Sequence, residues 1–230
     1  MLSYHFAYLE LSLIFLAIWI VFFLWRKDLR KEILFVSIVL APMGPLNEIL
    51  FYFNDYWRPE VFSYSYFGIE DLIYAFSIGG IGATIYYIFF GKKYSSPKFK
   101  TYPFYLSLFF MVGLPLELFA NKVIGWNSIY VTCAFLALIS VVMLILRKDL
   151  LWSALISAIL FTILFGIIYI VWLYLYPNIF NDWWMTGNIS GVSLLRVPIE
   201  EFLWSFCWGF ASGMFFKFIR GVKAENYSIL

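Results

Sequence analysis

The chain has 230 residues, 63% of them hydrophobic and 13% charged, with a mean hydropathy of +0.86. Those values exclude an ordinary soluble domain and indicate an integral membrane protein. One histidine (His5) and two cysteines (Cys133 and Cys207) exclude a His/Cys metal centre and a disulfide framework, and a net charge of +2 gives no reason to expect nucleic acid.

Crossing about 30 Å of hydrocarbon takes about 20 helical residues, and seven apolar stretches meet or approach that length. The first, 5–25, has no basic residue before it and no small-residue cleavage site after it, so it reads as a helix and not a signal peptide. Arg26-Lys27-Asp28-Leu29 follows. The second, 33–53, contains Pro42 and then Gly44-Pro45-Leu46-Asn47-Glu48, and leads into Asn54-Asp55-Tyr56-Trp57. The third, 70–90, opens on Glu70 and Asp71 and carries Gly79, Gly80 and Gly82. The fourth, 103–120, contains Gly113-Leu114-Pro115-Leu116-Glu117, and the fifth, 127–146, is followed by Arg147-Lys148-Asp149-Leu150. The sixth, 151–176, precedes Asn181-Asp182-Trp183-Trp184. The seventh, 197–219, opens on Pro198, Glu200 and Glu201 and carries Gly209, Ser212 and Gly213.

Of the 16 lysines and arginines, all but Arg58, Lys122 and Arg196 fall on one side of these spans, Lys98 among them. The positive-inside rule then predicts an outside amino terminus and a cytoplasmic carboxyl terminus in the cell membrane. Most acids lie toward the opposite side.

Three landmarks recur in the same order. Arg26-Lys27-Asp28-Leu29 returns at 147 (offset 121), Asn54-Asp55-Tyr56-Trp57 returns as Asn181-Asp182-Trp183-Trp184 (offset 127), and Gly68-Ile69-Glu70-Asp71-Leu72 returns as Pro198-Ile199-Glu200-Glu201-Phe202 (offset 130). This predicts two parallel three-helix repeats, 1–100 and 127–224, joined by a connector helix in 101–126. Binding sites in parallel-repeat proteins tend to lie at the repeat interface. The glycines of spans three and seven read as the seam between the units.

An ionised carboxylate inside the membrane costs several kcal/mol unless partnered, which marks Glu48, Glu117, Glu200 and Glu201 as site candidates. Acids in a first turn also suit the helix macrodipole, yet two adjacent acids open span seven and Glu70-Asp71 occupies the equivalent place in span three. Pro42, Pro45 and Pro115 are expected to bend helices two and four in mid-span and turn Asn47, Glu48 and Glu117 toward a common interior. Aromatics make up 23% of the chain; many, Tyr64 and Tyr66 included, suit an interfacial belt. Trp57 and Trp184 recur in the repeat, and their faces could stabilise a cation by about 0.5 to 2 kcal/mol each. Protonated carboxyls in an apolar, aromatic-lined cavity can add a proton to a carbon-carbon double bond, shelter the carbocation and later remove a proton. No Gly-x-Gly-x-x-Gly fingerprint opens a helix, so no cofactor is expected.

With its duplicated unit, the basic loop after the first helix, the Asp-x-Trp-type element and the acidic opening of the third helix, the chain resembles the membrane-integral lycopene cyclase domain family. The closest match is Arg196-Val197-Pro198-Ile199-Glu200-Glu201-Phe202; the first unit departs, with Gly68 for proline and Asp71 for glutamate. The resemblance implies redox-neutral closure of lycopene end groups to β-ionone rings. It casts Glu200 or Glu201 as proton donor, Asp182 or Glu70 as acceptor with Asp71, Glu48 and Glu117 as further acids, and Trp57, Trp184, Asn47, Pro198 and Arg196 as substrate contacts. The expected partners are a lipid-soluble polyene and the bilayer, and a homo-oligomer is compatible with the reading. A retinal photoreceptor is disfavoured because the one helical lysine, Lys217, suits snorkelling at a helix end. A parallel-repeat transporter or proton/cation-coupled carrier is the alternative that fits the repeat and the acids.

Overall fold

A computed structural model describes residues 4–62, 68–94 and 99–226, without the side chains of Leu106 and Asn226. Tyr64, Tyr66 and Lys98 lie outside the described residues. Among the described residues seven helices are long and apolar enough to cross a membrane: α1 (Tyr4–Trp25), α2 (Lys27–Asp55), α3 (Ile69–Phe89), α4 (Pro103–Val123), α5 (Ser128–Leu146), α6 (Lys148–Leu175) and α7 (Ile199–Arg220). In lipid every backbone polar group needs an internal partner, which is why an apolar run of this length becomes a helix. The protein is an all-α, multi-pass membrane protein. Its only strand pairs among the described residues are two small antiparallel ones: β1 (Lys92–Tyr94) with β4 (Ala224–Asn226), and β2 (Ser193–Leu194) with β3 (Val197–Pro198).

The centre is formed by α3 and α7, the two most buried spans. They touch each other; α3 also packs on α1, α2 and α6, and α7 on α5 and α6, while α4 leans on α5 and α7. Small residues permit these approaches. A Cβ at Gly82 would meet the Ser212 side chain, one at Gly213 would meet Ser157, and one at Gly209 would lie 2.8 Å from Phe161 Cβ. Gly79 faces Leu40 and Gly80 faces Trp19 and Ser37. The glycine-seam expectation is therefore corrected: Gly82 and Ser212 meet between α3 and α7, whereas the other glycines let α3 close on α1 and α2, and α7 close on α6.

Two arginines lock the basic end. Arg26 pairs with Asp28 at 2.8 Å and donates to the carbonyls of Tyr87 (2.6 Å) and Lys92; Arg147 pairs with Asp149 at 2.8 Å and donates to those of Lys217 (3.3 Å) and Val222 (3.0 Å). The two accepting pairs stand 130 residues apart, and in each the arginine satisfies one carbonyl in the last turn of a central helix, where positive charge is favourable, and one just beyond that helix. Lys217 corrects another expectation. It does not snorkel: it is buried, its Nζ donates to Ser153 Oγ at 2.8 Å and lies 5.2 Å from the centre of the Tyr87 ring.

At the opposite end α2 and α4 lose regular helical pairing. Proline lacks the amide that would continue the ladder, and a π-turn follows each one, Glu48–Tyr52 after Pro45 and Phe119–Val123 after Pro115. Insertions of this kind re-aim the side chains they carry. Asp55 then ties three segments together: its carboxylate accepts from Ser128 Oγ (2.5 Å), Ser128 N (3.0 Å) and Asn121 Nδ2 (2.6 Å), and its carbonyl from Asn127 and Asn188. The backbones of Trp57 and Trp184 form an antiparallel bridge, closed by Arg58 N to Trp183 O (2.7 Å) and Met185 N to Tyr56 O (2.8 Å).

Candidate functional site

Below that bridge, among α1, α2, α3, α5, α6 and α7, lies a chamber of about 70 Å³. Three carboxyls line it: Glu48, Asp71 and Glu201. Each is at least 95% buried. Such burial is tolerable only because donors reach the acids. Trp57 Nε1 donates to Glu48 Oε2 at 3.0 Å, leaving Glu48 Oε1 unpartnered among the described residues. Asp71 accepts from Tyr8 Oη and from Gly68 N, both at 2.8 Å, the second bond capping α3. Glu201 Oε1 accepts two donors, Tyr56 Oη at 2.6 Å and Trp184 Nε1 at 3.1 Å. Burial, reinforced by the Glu201 carboxyl, pushes the Tyr56 phenol well above its ordinary range, so it stays a neutral donor.

Aromatic faces make the rest of the wall. Trp204 stacks on Trp208 at 5.5 Å and 11°, Trp57 tilts against Trp184 at 5.2 Å, and Tyr74 and Tyr169 share a hydrogen bond of 3.1 Å. The chamber is thus acidic at points and rich in π-electrons elsewhere. Trp57 is part of the wall, and Trp184 stands behind Glu201 as its donor.

Adjacent residues on a helix point about 100° apart, so neighbouring acids part company. Glu201 and Asp71 face the chamber. Glu200 turns to Tyr130 Oη (2.7 Å) and Ser190 N (2.8 Å), and Glu70 accepts from Phe62 N at 2.7 Å. In both helices the leading acid holds the preceding loop and its neighbour points inward.

The remaining sequence candidates scatter. Asn47 lines the chamber and also a second compartment, which contains Glu117. Asp182 is exposed beside Tyr4, outside both, because the short helix Ile179–Trp183 turns it toward the surface. Arg196 is exposed as well, its guanidinium over the Tyr174 ring at 5.2 Å, in the turn between β2 and β3 where Leu195 and Arg196 both have positive φ. Pro198 is the N-cap residue of α7 and does not line the chamber. Tyr8, Tyr56, Tyr74, Tyr169, Trp204 and Trp208 are site residues that the sequence did not single out; Tyr56 sits inside a repeated element, and the others carry no distinguishing signal.

Buried acids beside indole and phenol rings can deliver a proton to an apolar group brought against them and stabilise positive charge as it forms. Among the described residues no cluster of His, Cys, Asp and Glu could hold a metal. Residues 127–219 match the protein-family model described as lycopene cyclase. No curated protein and no solved structure matches the chain.

Proposed function

Since residues 127–219 match the family model described as lycopene cyclase, we propose that this protein closes the linear end groups of lycopene to β-ionone rings, and that the chamber of Glu48, Asp71 and Glu201 is where it does so. The observation that carries this reading is the convergence of three buried carboxyls from different helices on one aromatic-walled space.

The chemistry follows from the donors around each acid. Glu48 has one oxygen engaged and one free; a carboxyl so placed is satisfied when the free oxygen carries the proton and points it into the chamber. It protonates the terminal double bond of the polyene, leaving a tertiary cation. The next double bond attacks that cation, forming the ring-closing carbon-carbon bond and passing the charge to a ring carbon. Loss of the proton from the neighbouring ring carbon restores a double bond. Glu201, whose Oε1 accepts two donors, is arranged as a carboxylate and takes that proton. Atoms and electrons balance without oxidant or reductant, and no cofactor is involved. Trp57, Trp204 and Trp208 present faces to the cation. Asp71 is braced by Tyr8 and the α3 cap and holds the negative field that favours charge build-up.

The first unit supplies Glu48 and Asp71 and the second supplies Glu201, so on this reading the site lies between two duplicated units, 1–100 and 127–224. The repeated Arg26 and Arg147 anchors and the mirrored roles of Glu70 and Glu200 support that division. With the basic residues in the cytoplasm, the chamber opens toward the outer half of the bilayer. The family-model match over residues 127–219 favours a cyclase over a carrier.

Proton initiation has a direct test. Ring formation in deuterium oxide should place one deuterium in each ring formed, read as a mass increase of the cyclised product. Cyclised product without solvent deuterium would refute the mechanism.

A further inference from the structure

The acid chamber adjoins a second cavity. Met43, Asn47 and Trp208 line both it and a second compartment of about 110 Å³ among α2, α4, α5 and α7. An apolar cavity that admits benzene measures roughly 150 Å³; neither compartment reaches that alone, and together they exceed it. The second space is elongated. Its wall runs from Phe109 to Glu117 on α4 and from Trp208 to Phe215 on α7, about 10 to 12 Å at 1.5 Å per residue. Its sides are Phe135, Leu136, Ile139 and Ala211. A Cβ at Gly113 would collide with the Phe135 ring, so α4 approaches α5 closely at this level. Glu117 lies at the same end as Asn47, and α4, the least buried span, separates the space from lipid.

We propose that this compartment is a channel that receives the unreacted arm of the linear polyene while its end group sits among Glu48, Asp71 and Glu201. The inference rests on the cyclase reading and extends it to a second binding subsite. A polyene is long, thin and without polar groups, which matches a narrow, mostly aliphatic and aromatic space that shares Met43, Asn47 and Trp208 with the reaction chamber. The largely exposed α4 is the one helix between this space and the bilayer, the side from which a polyene would enter.

The test uses the full chain purified in detergent from a lycopene-accumulating host, with two readouts: ring formation and the visible absorbance of co-purified lycopene. Ala211→Trp and Leu136→Trp fill the channel from α7 and from α5. Leu138→Trp, on the lipid-facing side of α5, is the control. Both filling variants should lose bound lycopene and cyclise it about tenfold or more slowly, as a loss of about 1.4 kcal/mol of binding would produce, with Leu138→Trp unchanged. Glu201→Gln should keep bound lycopene without converting it. Wild-type pigment retention or turnover in both filling variants, or equal loss in Leu138→Trp, overturns the channel, and so does absence of lycopene from Glu201→Gln. Normal turnover by Glu201→Gln sinks the cyclase reading and leaves the pigment readout to judge the channel separately.

Discussion

Tyr56→Phe removes one oxygen atom and nothing else from the chamber's edge. Among the described residues that oxygen makes the shortest hydrogen bond to any of the three chamber acids, 2.6 Å to Glu201, and the side-chain donor left to Glu201 without it is the indole of Trp184 at 3.1 Å. The ring itself stays packed, with Tyr52 at 5.8 Å, so the backbone bridge above it has no reason to move. A hydrogen bond to a charged group contributes about 1.5 to 3 kcal/mol. If Glu201 is the group that removes the proton, this bond is felt in the reaction barrier, and the rate should fall about 10- to 100-fold. Trp184→Phe deletes the longer bond and should cost less. The two losses should not add, because both donors act on one oxygen. The assay is the initial rate of ring formation in membranes holding equal amounts of folded protein, followed by chromatography of extracted pigment. An unchanged rate in Tyr56→Phe would refute the claim that Glu201 is held in place for the reaction.

Glu200→Gln should retain a substantial part of the activity that Glu201→Gln loses, because Glu200 secures Tyr130 and the loop at Ser190 and lies outside the chamber; equal loss in both would contradict the assigned facing of α7. Gly44→Val should lower thermal stability by about 1 to 3 kcal/mol, since a Cβ there lies 2.9 Å from Ala75 Cβ and also meets the Asp71 carbonyl; an unchanged melting profile would show that α2 and α3 are free to part. Asp55→Ala should cost at least about 1 to 3 kcal/mol, the penalty for leaving the donors of Ser128 and Asn121 unmet, and the fraction that remains folded should still form rings. Burial holds the Tyr176 phenol, which donates to Glu10, at about 12. The folded state therefore keeps a proton that the unfolded state gives up near pH 10, so this contribution is complete below pH 10 and is lost as pH rises toward 12. The decline of melting temperature across that interval should be shallower in Tyr176→Phe.

The seven spans were legible because length and hydropathy alone dictate a helix in lipid, and Pro198 as the start of α7 followed from its fixed φ and missing amide. The site was legible only in part. Glu48 and Asn47 beside Pro45, and the acidic pairs opening α3 and α7, stood out because carboxyls are rare in such company. Which member of each pair faces inward was not readable: α3 and α7 are apolar on every side, so no periodicity marks the interior. Asp182 recurs in register with Asp55, yet Asp55 binds Ser128 and Asn121 while Asp182 is exposed; a matching motif did not secure a matching environment. The tyrosines of the chamber were hidden among 17 in the chain, and Tyr8 meets Asp71 only because α1 closes on α3. Lys217 departs from expectation for a related reason. A lysine at a helix end usually reaches water, but here Ser153, Tyr86 and Tyr87 from two neighbouring helices enclose it.

The most direct test of the central claim is pigment chromatography from a lycopene-accumulating bacterial host expressing either the wild-type chain or Glu201→Gln, with both proteins shown to be folded in the membrane. The wild type should yield carotenoids with cyclised ends, and Glu201→Gln should leave lycopene. Unaltered lycopene with the folded wild type, or cyclised pigment with Glu201→Gln at the wild-type level, would contradict it.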